Sequence, residues 1–151
     1  MKITTYFSLE EFTKSRLAIQ NGIDNTPSIE EEGNIVSLVK HLLDPVRRMY
    51  NKPIIVTSGY RSKALNAILK NSSPTSQHMT GQAADIQTVG DKDNRKLFDL
   101  IKSMDFDQLI WEYGNDEQPD WIHVSYVSTA KNRHEVLKAV VQGNKTVYIH
   151  I

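Results

Sequence analysis

Apolar and polar positions along the chain fall into short segments of two kinds, some with a helical repeat and some with the period of a strand. The clearest helical stripe runs through Ile35, Leu38, Val39, Leu42, Leu43, Val46 and Met49, which sets one face of a long helix against a core. Its start is marked by Ser28 with Glu31 three residues on, the pattern of a capping box. Pro45 lies inside the stripe, removes one backbone donor and predicts a bend near Leu42. Upstream, "FSLEEF" offers a second box, Ser8 with Glu11, and a staple of Phe7 onto Phe12. A short helix to about Ile19 is expected there.

Strand-like segments begin with "KPIIVTSGYRS", a β-branched run opened by proline and closed by Ser-Gly, with Arg61 just beyond its end. A short helix over Lys63 to Leu69 and a polar loop "KNSSPTSQH" lead to a second strand, Gln82 to Val89. Asp91 is expected to cap a helix that buries Leu97, Phe98, Leu100, Ile101 and Met104. "DQLIWEY" and "WIHVSYV" read as two strands joined by the polar turn "GNDEQPD". A helix over 132–142 and a final strand "TVYIHI" close the chain. With no repeat, linker or low-complexity tract, residues 1–151 are expected to form one domain of the α+β class.

Composition narrows the chemistry more than the fold. Lys plus Arg and Asp plus Glu each number 18, so there is no overall field to attract nucleic acid or an anionic membrane, and neither is expected as a partner. There are no cysteines, which removes disulfides, thiolate nucleophiles and Cys-ligated metal sites; any metal must be held by histidine and carboxylate. No stretch has the length of a membrane-spanning helix, and "MKITTYFSLEEF" lacks the apolar centre of a secretory leader. The chain is therefore expected to be made and folded in the cytoplasm, as a monomer.

Two histidines and one carboxylate form a usual protein set for catalytic zinc, and "SQHMTGQAADI" with "WIHVSY" supplies one: His78, Asp85 and His123. Taken singly, each also fits an ordinary role on a loop or strand. Asp85 differs because it stands among Ala83, Ala84 and Ile86, where an unpaired charge is costly and ligation or strong hydrogen bonding compensates. Asp120 precedes His123 by three residues and could reach the same ion only from a turn, which Pro119 allows. Arg61 suits a substrate carboxylate or a developing oxyanion. His41, His134 and His150 have no ligand partner at recognisable spacing, and Trp111, Trp121 and Tyr126 read as core or rim aromatics.

Three motifs, "SGYRS", Ser-x-His-x6-Asp in "SQHMTGQAAD" and Asp-x-x-His in "DWIH", make the chain resemble the M15 family of zinc metallopeptidases, which share a fold with the Hedgehog signalling domain. The resemblance runs from Ser58 to His123 and extends to the "FSLEEF" opening. It implies a mainly antiparallel sheet with helices packed on it. It also implies Zn2+ held by His78, Asp85 and His123, with Asp120 as the catalytic acid/base where many members carry glutamate, and nearby Glu112 as the alternative. Arg61 would stabilise the substrate carbonyl or carboxylate, and Ser76 would lie near the substrate. The implied activity is hydrolysis of an amide bond in the peptidoglycan stem peptide, by an endolysin-like L-Ala-D-Glu endopeptidase or a D-Ala-D-Ala carboxypeptidase. Release to the cell wall at phage lysis, or carriage in a virion, would fit the missing leader. The competing expectation is a non-catalytic zinc-containing module that binds cell wall or peptide.

Overall fold

The computed structural model describes residues 1–70 and 72–151; Asn71, in the polar loop expected from the sequence, lies outside them. Six strands form one sheet in the order β1-β2-β4-β3-β5-β6. They are β1 (Ile54–Ser58), β2 (Ala83–Thr88), β3 (Gln108–Glu112), β4 (Trp121–Ser125), β5 (Glu135–Gln142) and β6 (Lys145–His150). All neighbouring pairs are antiparallel except β3 and β5, which run parallel.

Alternation along the strands gives the sheet two unlike faces. Ala84 and Ile86 of β2, Leu109 and Trp111 of β3, and Ile122 and Val124 of β4 point to one side and join the core with Leu38, Leu42, Leu97, Phe98 and Ile101 of the helices. Their neighbours Asp85, Ile110, Glu112 and His123 point to the other side. The helices are α1 (Glu10–Thr13), α2 (Arg16–Gln20), α3 (Ile29–Leu38), α4 (Asp44–Tyr50), α5 (Lys63–Ile68) and α6 (Asn94–Lys102). Among the described residues, no helix is long and apolar enough to cross a membrane.

The Ser28–Glu31 capping box forms with both arms, and the Phe7 and Phe12 rings meet with centroids 6.1 Å apart. Three local expectations are corrected. The first helix does not run unbroken to Ile19: Lys14 and Ser15 are extended, and the Ser15 hydroxyl caps a separate α2 by accepting from the Ala18 N–H at 3.2 Å. The bend expected near Leu42 is present, as a wide π-type turn, Val39–Leu43, which joins α3 to α4 ahead of Pro45. Asp91 does not cap α6; it sits at φ 59°, and Asp93 precedes the helix without a side-chain cap.

The helix expected over 132–142 is instead β5. Within it Leu137 and Ala139 are buried in alternation, and the two-residue turn Gly143–Asn144 folds it back onto β6 with Gln142 opposite Lys145. A Gly-Asn pair between two β-branched runs is a hairpin signal that outweighs the helical spacing of the same apolar residues.

Candidate metal centre

His78 is placed by a 3₁₀ turn, Gln77–Thr80, whose first residue is preceded by Ser76; the Ser76 hydroxyl accepts from the His78 N–H at 3.2 Å. The turn ends at Gly81 with φ 77°, and a Cβ there would lie 2.4 Å from the Glu31 carbonyl oxygen of α3, so only glycine fits. The chain then enters β2, which carries Asp85 opposite His123 of β4. On the other flank β1 bulges between Val56 and Ser58, and the bulge brings Ser58 opposite Asp85.

These elements bring the three residues together. Asp85 Oδ1 is 3.3 Å from His78 Nε2 and 3.2 Å from His123 Nδ1, and one ligand atom from each residue lies within 4.8 Å of the other two. His78 and His123 are buried and Asp85 nearly so. Burial pushes the Asp85 pKa up, but the adjacent His78 and His123 outweigh it and hold the carboxyl well below the usual range. The His78 Nδ1–H donates to the Gly59 carbonyl at 2.7 Å, so Nε2 is the ring atom that faces Asp85 and is placed to serve a cation. Donor chemistry, spacing and orientation therefore fit a divalent cation bound by two imidazoles and a carboxylate.

Arg61 stands beside this group at the end of β1. Its Nη2 is 3.6 Å from Asp85 Oδ2, its Nε donates to the Ser58 hydroxyl at 3.2 Å, and its Nη1 donates to buried Asn66 Oδ1 at 3.3 Å. Burial depresses its pKa, against the opposing pull of Asp85 and Glu112. A guanidinium is a strong enough base to stay charged under that pressure.

Glu112 closes the site from β3. It is 8% exposed and pairs with Trp121, which puts its side chain on the same face as His123. Its carboxyl is pushed up to about 7, chiefly by burial and further by Asp85, while His123 and Arg61 pull it down. Asp120 is not brought to this group. It is exposed, its N–H donates to the Glu112 carbonyl at 2.9 Å, and it stands at the position of opposite parity to His123. This corrects the expectation that Asp120 is the acid/base: the fold brings Glu112, the alternative, to the histidines and leaves Asp120 outside the cavity.

The group opens into a cavity of about 770 Å³. Ser76, Gln77, Glu112, Tyr113 and Trp121 line it, together with Leu69 and Lys70 after α5 and a wall of Arg133, Leu137 and Tyr148 at the β5–β6 end of the sheet. That last wall was hidden from sequence reasoning by the helix assigned to 132–142. The other histidines lie elsewhere: His41 stacks on buried Tyr126 at 5.0 Å, His134 pairs with Asp105 at 2.9 Å, and exposed His150 is on edge strand β6. Trp111 belongs to the core, where it meets Phe98 edge-on; only Trp121 of the three aromatics lines the cavity.

The family model described as Peptidase M15 matches residues 5–125. The chain belongs to this family. M15 proteins are metallopeptidases, and the matched segment contains every residue of the His78, Asp85 and His123 group together with Arg61 and Glu112. The β5–β6 wall of the cavity lies beyond the match. No curated protein matches the chain.

Proposed function

We propose that the chain is a zinc-dependent peptidase that hydrolyses an amide bond in the stem peptide of bacterial peptidoglycan. One observation carries the reading: a buried carboxylate of raised pKa, Glu112, shares a cavity and a sheet face with three residues of ligand type whose donor atoms converge. His78, Asp85 and His123 are the ligands. Zinc held there supplies a Lewis acid that polarises the scissile carbonyl and acidifies water.

The chain's own groups do the rest. Glu112, with a pKa near the operating range, accepts a proton from the attacking water and returns it to the departing amine. Arg61, fixed by Ser58 and Asn66, offers positive charge to the carbonyl oxygen as it becomes an oxyanion. Ser76 lines the approach, with its hydroxyl already accepting from the His78 N–H. Leu69 and Lys70, which follow α5, and Leu137 and Tyr148, of β5 and β6, both line the cavity, and a groove walled in this way would suit an L-Ala-D-Glu endopeptidase better than a D-Ala-D-Ala carboxypeptidase, which needs a closed end.

Mass spectrometry of peptidoglycan digested with the protein, with zinc and with a chelator in parallel, tests this. New chelator-sensitive glutamate amino termini are expected. Free D-alanine would make it a carboxypeptidase. Zinc bound with no new ends from walls of several bacteria would leave the non-catalytic binding module as the better account.

A further inference from the structure

We infer that Asp107 is a positioning residue for the metal centre, acting through Gln77 on His78, and that the same carboxylate holds Arg133 of the cavity wall. The inference rests on the metal-centre reading above and adds two arms to it.

Asp107 is 2% exposed and lies just before β3. Its main chain is held on both sides: its N–H donates to the Ser125 carbonyl at 2.8 Å, and its carbonyl accepts from the Glu135 N–H at 3.0 Å. The carboxylate is thereby set between the end of β4 and the start of β5. The first arm runs to the metal-site turn, where Gln77 Nε2 donates to Asp107 Oδ2 at 2.9 Å. Gln77 opens the 3₁₀ turn, His78 follows it directly, and the Gln77 carbonyl accepts from the Gln82 N–H at 3.1 Å and the Thr80 hydroxyl at 3.0 Å. Fixing the Gln77 side chain thus fixes the base of the His78 ring.

The second arm runs to the wall. Arg133 gives Asp107 its N–H at 2.9 Å, its Nε at 3.1 Å and its Nη2 at 2.8 Å. This fork alone neutralises the buried charge, so the Gln77 arm is not needed to make Asp107 tolerable inside the fold. Its chemical effect is at its other end, the turn that carries His78. The motifs "SGYRS", Ser-x-His-x6-Asp and Asp-x-x-His contain neither Asp107 nor Arg133, and Gln77 stands in them only as the unspecified residue between Ser76 and His78.

Wild type, Gln77→Ala, Arg133→Ala and Asp107→Asn are compared for zinc affinity by competition with a chromophoric chelator, for the visible absorption of the Co2+ form, and for thermal unfolding. Gln77→Ala and Asp107→Asn are expected to weaken zinc binding about tenfold or more and to alter the cobalt spectrum. Arg133→Ala removes more bonds from Asp107, yet is expected to hold zinc within about threefold of wild type. Zinc affinity and cobalt spectrum unchanged in Gln77→Ala would overturn the inference, and so would equal loss in Arg133→Ala, which would make Asp107 a general prop of the fold. Gln77→Ala removes one side-chain hydrogen bond at a half-buried turn, so it carries the test even where Asp107→Asn does not fold. Failure of wild type to bind zinc would overturn the metal-centre reading first and this inference with it.

Discussion

His78 Nδ1 and the carbonyl oxygen of Gly59 are 2.7 Å apart, so the orientation of the His78 ring is set by the main chain of a neighbouring loop. That loop has no slack. A Cβ on Gly59 would fall 2.5 Å from the Phe12 carbonyl oxygen, and the adjacent Tyr60 N–H donates to that same carbonyl at 2.6 Å. Gly59→Ala must therefore move either the Phe12 strand of contacts or the acceptor of His78. The expected outcome is a loss of zinc affinity of about 10- to 100-fold together with a lower melting temperature. Zinc titration and thermal unfolding on the same sample check it, and unchanged zinc affinity would sever the link between Gly59 and the ring.

Glu112 and Asp120 separate cleanly by mutation. Glu112→Gln is expected to retain zinc and to lower turnover by about 10²- to 10⁴-fold, the usual effect of removing a general base. Asp120→Asn, at an exposed position outside the cavity, should change turnover by no more than about threefold. Steady-state hydrolysis of one peptidoglycan fragment by both variants decides between them. The opposite ranking would return the proton transfer to Asp120.

The same carboxylate ties stability to pH in the metal-free protein. Glu112 keeps its proton in the fold to about pH 7, against a usual glutamate value of 4.5. The folded chain therefore binds the extra proton, and the stability present below the lower value is lost as pH rises through the higher one. Above it the ionised, buried group costs up to about 3 kcal/mol. Glu112→Gln should gain on wild type between about pH 5 and pH 8 and hold a constant lead beyond. Urea unfolding in a chelator measures this, and a difference that does not vary with pH would contradict it.

Asn94 is fully buried at the start of α6, where its Oδ1 accepts from the Thr88 N–H at 2.8 Å and its Nδ2 donates to the carbonyls of Pro119 and Asp120 at 3.0 and 3.1 Å. It joins the end of β2 to the segment that leads into β4. Asn94→Ala leaves three main-chain groups without partners and should cost about 2–4 kcal/mol, read from chemical denaturation. A loss below about 1 kcal/mol would mean that water takes over these bonds.

What could be read in the chain depended on whether the signal was local. Ser28 with Glu31, the β-branched "PIIVTS" and the run of Gly81, Ala83 and Ala84 act within a few positions, and they form the elements expected of them. The fold class followed from those elements. "EVLKAVVQ" has apolar residues that satisfy either period, and only the Gly143–Asn144 turn and the β6 partner beyond it settle the matter. Glu112 against Asp120 turned on strand parity across β3 and β4, which requires a register that spacing within "DWIH" does not contain. The uses of Asp107 and Asn94 are invisible for a similar reason: their partners Gln77, Arg133 and Pro119 are 25 to 30 residues away in the chain.

Parity on β3 and β4 has an effect beyond choosing one carboxylate. Trp111 and Ile122 serve the core, and their neighbours Glu112 and His123 serve the cavity. A slip of one residue in β3 would exchange the two sets at once, burying Glu112 among hydrocarbons and turning Trp111 out to the substrate side. Hydrolytic activity would then work as a proofreader of folding: a misaligned β3–β4 pair could not be catalytically competent, and a competent site certifies that its alignment is right. Single-residue insertions within β3 should accordingly abolish activity and solubility together.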